Sequence, residues 1–550
     1  MKIRPHERGM RRRSLTRREF VVAASATAGA LALPSTTWGQ NRPPRMPAND
    51  RHRPRFHLMP PSLWLNDPNG PLHFRGRYHL FYQYAPAIDN FATKYWGHAV
   101  STDLVHWKNV GIALGPTPGG VDKNGCWSGS AVVASGIPTI VYTGATWSAA
   151  SERAERAKGI IPERQMVAVA ADPNDPNLTR WIKIPENPVL AAPPESIKAV
   201  GWRDPAVWKE GDTWYMTIGC GEVGKGGIAL LYSSRDLRRW TSLDPLAVAR
   251  PDRNQDPARP GNSMWECPDF FELDGKPVLL VARGNGYLTG TYINHRFEQQ
   301  GDGRIDFGSA SYAQKTMEDE KRRRIWWGWL HEKRSPEAQT AAGWAGVMSL
   351  PKLLTMRKDG TLGVEPVPEL KLLRRGQQKT ISNHHIEPNG PLLLDDVATD
   401  CAEIEVEIEL GSAHQAGLRV RAAADGREQT LVGYDRDAQE LFSDTTVSST
   451  DPATATGQGF RSNRGIEKGK LVLENGEPLR LRVYLDASVI ETFANGKVSI
   501  SDRVYPSSDA SLGVGLFAKG GSARVRSMAI WRLTPISKDR LTSGAELFAV

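Results

Sequence analysis

From residue 56 onward the apolar residues come in short runs broken by turn residues, a pattern of strands and not of helices. Leu72 to Tyr84 predicts a hairpin turning near Arg75-Gly76, and Ala206 to Cys220 another turning at Glu210-Gly211. Val132-Val133, Thr139 to Thr143 and Met166 to Ala171 are apolar runs of strand length, and no long amphipathic helix precedes residue 365. Further on, Glu403 to Leu410 alternates strictly between acidic and aliphatic residues, the period of a half-buried antiparallel strand. Arg480 to Phe493, followed by Asn495-Gly496, predicts a strand and a type I′-like turn, and Ser511 to Ala518 and Ala523 to Leu533 continue in kind.

The first part of the chain repeats itself. Ser101-Thr102-Asp103-Leu104-Val105-His106-Trp107 and Ser234-Arg235-Asp236-Leu237-Arg238-Arg239-Trp240 share the pattern S-x-D-L-x-x-W. Candidate inner strands beginning near 66, 127, 203, 265 and 310 divide the region into five units. Self-similar strand units of this kind predict an all-β fold, a five-bladed β-propeller over 56–365. A linker with a short helix is expected over 366–385, a β-sandwich over 386–535 and a C-terminal tail over 536–550.

Composition fits a globular chain of 550 residues, 40% hydrophobic with 17 Trp. Such a Trp content suits sugar stacking, although cores also take Trp. The net charge of +9 is mostly local, because residues 1–39 carry eight Lys/Arg against Glu7 and Glu19. No nucleic-acid partner follows from it. Those residues have a basic start, an apolar run from Phe20 to Leu33 and a small, polar end, which predicts an export signal. Thr16-Arg17-Arg18-Glu19-Phe20 resembles the twin-arginine signal, so a periplasmic or extracellular location is expected. The run is too short to span a bilayer and no cysteine follows it, which argues against a membrane anchor. Residues 40–55, rich in Pro and Arg, predict an extended tether. Cys126, Cys220, Cys267 and Cys401 are too scattered for a disulfide framework or a metal site. His57, His98 and His106 show no ligand-like spacing, and neither a metal nor any other cofactor is expected.

Three stretches carry candidate chemistry: Trp64-Leu65-Asn66-Asp67-Pro68-Asn69-Gly70, Trp202-Arg203-Asp204-Pro205 and Trp265-Glu266-Cys267-Pro268-Asp269. The first reads locally as a turn, since Asn, Asp, Pro and Gly dominate turns. Yet each has an aromatic residue, then an acid beside a proline, then an apolar strand, and a propeller axis brings such repeats together. Three gathered acids suit acetal cleavage, in which one carboxyl protonates the leaving oxygen and another attacks the anomeric carbon. Asp67, in a polar setting, is expected to stay ionised. Glu266, beside Trp265 and Cys267, is expected to be partly desolvated and to hold its proton.

These stretches resemble the signature motifs of glycoside hydrolase family 32, the β-fructofuranosidases. The resemblance extends to Phe81-Tyr82-Gln83-Tyr84, Trp96-Gly97-His98-Ala99, Trp127-Ser128-Gly129-Ser130, Asp306-Phe307-Gly308, Tyr312-Ala313, Trp344-Ala345-Gly346 and Asp486-Ala487-Ser488-Val489-Ile490-Glu491-Thr492-Phe493. It implies a five-bladed propeller joined to a β-sandwich, no metal, and a fructose-containing oligo- or polysaccharide substrate. It also implies Asp67 as nucleophile, Glu266 as acid/base and Asp204 as transition-state stabiliser. Asn66, Gln83, Trp96, Ser128 and Arg203 would touch or flank the fructosyl unit. Ala85 and Phe91 depart from the residues common in the family and bear on leaving-group preference. The implied activity is retaining release of fructose from levan, inulin or sucrose. A fructosyltransferase, an inactive sugar-binding propeller and an inverting, arabinan-directed enzyme are the alternatives.

Overall fold

The computed structural model describes residues 50–89, 93–147, 160–249, 264–282, 285–388, 390, 393–454, 464–538 and 548. The signal segment, most of the tether and Phe91 lie outside the described residues. Five largely antiparallel sheets follow one another along the chain. Their first strands are Leu63–Phe74, Gly125–Ala134, Ala199–Glu210, Asp269–Leu273 and Ser311–Glu318. Leu63–Phe74 touches both Gly125–Ala134 and Ser311–Glu318, and Ala199–Glu210 touches Gly125–Ala134 and Asp269–Leu273. Thr316 donates its N–H (2.8 Å) and hydroxyl (2.7 Å) to Asp269 Oδ2, tying the fourth first strand to the fifth. Trp344–Ala345, from late in this half, pairs in parallel with Leu63 and Trp64 and so joins its end to its beginning. Residues of all five first strands line one cavity of 1340 Å³.

The repeated S-x-D-L-x-x-W segments are the same turn built twice, each between the third and fourth strands of its sheet. Ser101 Oγ and Ser234 Oγ donate to Asp103 and Asp236, and each aspartate accepts the backbone N–H groups that follow. Leu104 and Leu237 take left-handed backbones at φ 68° and 61°. Trp107 and Trp240 each donate an indole N–H to that leucine's carbonyl, at 2.8 and 3.2 Å. The second sheet contains an unforeseen third version, in which Leu178 has φ 49° and Trp181 donates to its carbonyl at 2.8 Å.

The C-terminal half packs a six-stranded sheet on a five-stranded one around an aliphatic core. In Cys401–Glu409 the residues Ile404, Val406 and Ile408 enter that core. Glu405, Glu407 and Glu409 face outward and pair with Arg374, Arg482 and Arg526. The expected linker is mostly something else: after a 3-10 turn at Pro368–Leu373, Arg374–Ile386 is a long edge strand paired with Ala523–Leu533. Its polar sequence hides it, because one edge and most of its side chains meet solvent. Part of the expected tether is also packed, with Arg53 buried and Arg55 ion-paired to Asp400. In the expected tail, Ile536 is buried and Phe548 packs on Tyr84.

The halves meet across a buried ionic seam. Lys352, fully buried, binds Asp306, Ser501 (3.0 Å) and Glu491 (3.3 Å). Glu491 and Asp486 in turn hold His57, at 3.1 and 2.7 Å. Removing one member of such a set strands its partners in a low-dielectric interior. Lys352→Met is expected to destabilise the protein by about 3–5 kcal/mol, read as a fall in the urea midpoint.

Candidate active site

The stretches that carry Asp67 and Asp204 are bulged strands and not turns. In Leu63–Phe74 the pairing slips between Leu65 and Pro68 and again between Asn69 and Leu72. In Ala199–Glu210 it slips between Arg203 and Ala206, and in Gly125–Ala134 between Trp127 and Gly129. Ser311–Glu318 slips between Tyr312 and Lys315. An unpaired extra residue bends a strand and re-aims its side chain, and here the slips lie at Asn66-Asp67, Ser128, Asp204-Pro205 and Ala313. Asp204 itself takes φ 66°, a conformation that costs a non-glycine residue on the order of 1 kcal/mol or more. Glu266 precedes its strand and rides on a segment seated against two glycines. A Cβ on Gly219 would lie 2.1 Å from the Trp265 carbonyl, and one on Gly227 would lie 2.2 Å from the Trp265 ring.

These strands bring Asp67, Asp204 and Glu266 into one pocket of 170 Å³, with Asn66, Gln83, Ser128 and Arg203. Ser128 Oγ donates to Asp67 Oδ2 at 2.7 Å and Asn66 Nδ2 to Asp67 Oδ1 at 3.0 Å, while Trp64 Nε1 fixes Asn66 at 2.8 Å. Cys267 joins two of the acids: its N–H donates to Asp204 Oδ2 at 2.9 Å, and its Sγ lies 3.6 Å from that oxygen and 3.8 Å from Asp67 Oδ2. Glu266 accepts from Arg203 Nη2 on one oxygen and from the Tyr312 hydroxyl on the other.

Trp96 does not fit the expected contact role. It is fully buried, donates its indole N–H to the Trp127 carbonyl at 3.0 Å, and does not line the pocket, although it is the direct cross-strand partner of Gln83, which does. Trp127 lines the pocket instead, with Tyr312, Trp329, Lys94, Asn124 and Cys267. Trp127 and Tyr312 lie inside recognised motifs and were findable there. Lys94, Asn124 and Trp329 carry no local signal. Among the described residues no group of three or more His, Cys, Asp and Glu could hold a metal ion.

Crowding sets the electrostatics. Burial pushes the Asp67 carboxyl up from its usual range, and donation from Ser128 and Asn66 opposes the shift. Burial thus works against the ionisation that its polar neighbours favour. Burial pushes Asp204 up to about 6, against the pull of Arg203 and with the Glu266 and Asp67 charges in the same sense. Lys94 is lowered to about 8 by burial despite Asp67. Burial and both aspartates hold the Cys267 thiol well above its ordinary range, so it stays protonated. The Trp265 ring packs in the core between the third and fourth sheets.

Two family models match the chain, Glycosyl hydrolases family 32 N-terminal domain over residues 57–366 and Glycosyl hydrolases family 32 C terminal over residues 369–532. Sucrose-6-phosphate hydrolase of Escherichia coli is 33% identical over 507 residues, covering 87% of this chain and 94% of the relative. The cell wall β-fructofuranosidase isozyme of Zea mays is 32% identical, covering 83% and 85%. Among solved structures, fructan 1-exohydrolase IIa of Cichorium intybus superposes with a TM-score of 0.76 at 28% identity, over 88% of this chain and 98% of that one. Its likeness supports a propeller-like N-terminal domain and a C-terminal β-sandwich here.

A carboxyl whose pKa is raised on folding ionises more readily unfolded, so its charge weakens the fold as pH rises from 3.8 through about 6. Two units correspond to about 3 kcal/mol at neutral pH. Asp204→Asn is therefore expected to raise the Tm at pH 7.5 by several degrees, a gain that fades by about pH 4. Thermal melts at the two pH values check this.

Proposed function

The chain belongs to glycoside hydrolase family 32, and on that premise we propose that Asp67, Glu266 and Asp204 carry out a two-step displacement at the anomeric carbon of a fructosyl unit. The protein is an O-glycosyl hydrolase that releases fructose from β-fructosides. In the first step an Asp67 carboxylate oxygen bonds to the anomeric carbon while Glu266 gives its proton to the departing glycosidic oxygen. In the second, Glu266 as carboxylate takes a proton from water, the water oxygen bonds to the same carbon, and the Asp67 ester bond breaks. Asp204, ionised, holds ring hydroxyls and faces the positive charge that develops on the sugar. Asn66 and Ser128 orient Asp67; Arg203 and Tyr312 orient Glu266.

The observation that carries this reading is the convergence of three acids from separate sheets on one small pocket, with Cys267 against two of them. The five sheets are best taken as blades around one axis. Neighbouring first strands that touch in order, and the Trp344–Ala345 pairing that returns to the first, support that reading.

Asp67→Asn and Glu266→Gln are each expected to lower kcat on sucrose by about 10³-fold or more, with KM little changed. Glu266→Gln should lose far less on fructosyl fluoride, whose leaving group needs no proton. Equal losses on both substrates would remove Glu266 from the donor role.

We place the mature protein outside the cytoplasm, on the strength of the basic, apolar and polar order of residues 1–39 and the Arg17-Arg18 pair. Replacing both arginines with lysine is expected to trap activity in the cytoplasm, as read by fractionation.

A further inference from the structure

Glu163 opens the strand Glu163–Ala170 of the second sheet and is completely buried. Its Oε1 accepts from Arg203 Nη1 at 3.0 Å, while Nη2 of the same guanidinium donates to Glu266 Oε1. One cation thus joins two carboxylates, one sealed from solvent and one 30% exposed at the pocket. The guanidinium is walled in. Its carbon lies 5.7 Å from the centre of the Trp127 ring, and a Cβ on Gly201 would stand 3.0 Å from Nη1. None of the acid-bearing motifs contains Glu163, and the two-step reaction above makes no use of it.

An unbalanced guanidinium against Glu266 would favour the carboxylate, and a carboxylate has no proton to give. A buried carboxylate on the far side makes the Arg203 pair neutral overall. Arg203 can then aim Glu266 by hydrogen bonding without drawing off its proton. We propose that Glu163 is a positioning residue that holds Arg203 and balances its charge, so that Glu266 stays protonated for the first step. The other groups facing this site are the Tyr312 hydroxyl from the fifth sheet, Asp67 and Lys94 from the first, Asp204 from the third, and Cys267. Behind it stand Cys220 and Glu222, the latter paired with Lys225 at 2.8 Å. All of these stay in place when only residue 163 is changed.

The inference rests on Glu266 as proton donor, and the test separates the two. The pH profile of kcat/KM for sucrose is measured on the full-length enzyme and on Glu163→Gln, Glu163→Asp and Glu266→Gln. Glu163→Gln is expected to move the alkaline limb down by about one pH unit, with KM within about twofold of the wild type. Glu163→Asp keeps the charge but draws it back by one methylene, and should move the limb the same way by less. A purely structural role would lower kcat and leave the limb where it is; that result overturns the inference. Should Glu163→Gln fail to fold, Glu163→Asp decides alone: a displaced limb supports the balance, and a fixed limb defeats it. A limb that persists in Glu266→Gln defeats the donor assignment and this inference with it. One that vanishes there but stays fixed in the Glu163 variants defeats this inference only.

Discussion

A strand with an unbroken two-residue period sends consecutive side chains to opposite faces. It cannot turn both a carboxylate and the neighbour that orients it toward one axis. This chain escapes that rule with a slip in pairing on four of the five first strands. The slips explain why Asp67 and Asn66 both reach the pocket, and why Arg203 and Asp204 do. Proline suits these positions because a bulged residue gives up its ladder hydrogen bond anyway.

Gathering three carboxylates creates a second constraint. Burial and mutual repulsion push Asp67 and Asp204 toward their protonated forms, and the backbone of Asp204 is held at positive φ as well. The fold answers with donors aimed at each acid: Ser128 and Asn66 at Asp67, the Cys267 N–H at Asp204, Arg203 and Tyr312 at Glu266. The pocket is thus a place where stability is given up locally and restored by the sheets around it.

A second set of buried charges lies at the seam between the halves. The segment Asp486-Ala487-Ser488-Val489-Ile490-Glu491 belongs to the sandwich, yet its two acids face the first half and grip His57 and Lys352. Phe56 and His57 also donate their backbone N–H groups to Asp486. His57 stands a few residues before the strand that carries Asp67, so the sandwich anchors the chain where it enters the first blade-like sheet. Neutral hydrophobic packing could join two such domains, but buried charges are costly unless each meets its partner.

The sequence by itself determined the strand content, the hairpin turn at Arg75-Gly76, the outward glutamates of Cys401–Glu409 and the three candidate acids, because each leaves a local mark: a period, a turn residue, an acid within two residues of a proline. Where the mark is missing or misleading, the chain alone was silent or wrong. Arg374–Ile386 looks like a linker because an edge strand needs little apolar surface. Trp96 looks like a sugar contact because its motif does not tell how deeply the ring is buried. Asn66 to Gly70 looks like a turn because turns and bulges draw on the same residues. Only the tertiary structure decided that Lys94, Trp329 and Asn124 line the pocket, that Asp67 is desolvated, and that Glu163 stands behind Arg203. Those properties belong to distances between sheets, and desolvation and Coulomb energies depend on such distances whatever the separation along the chain.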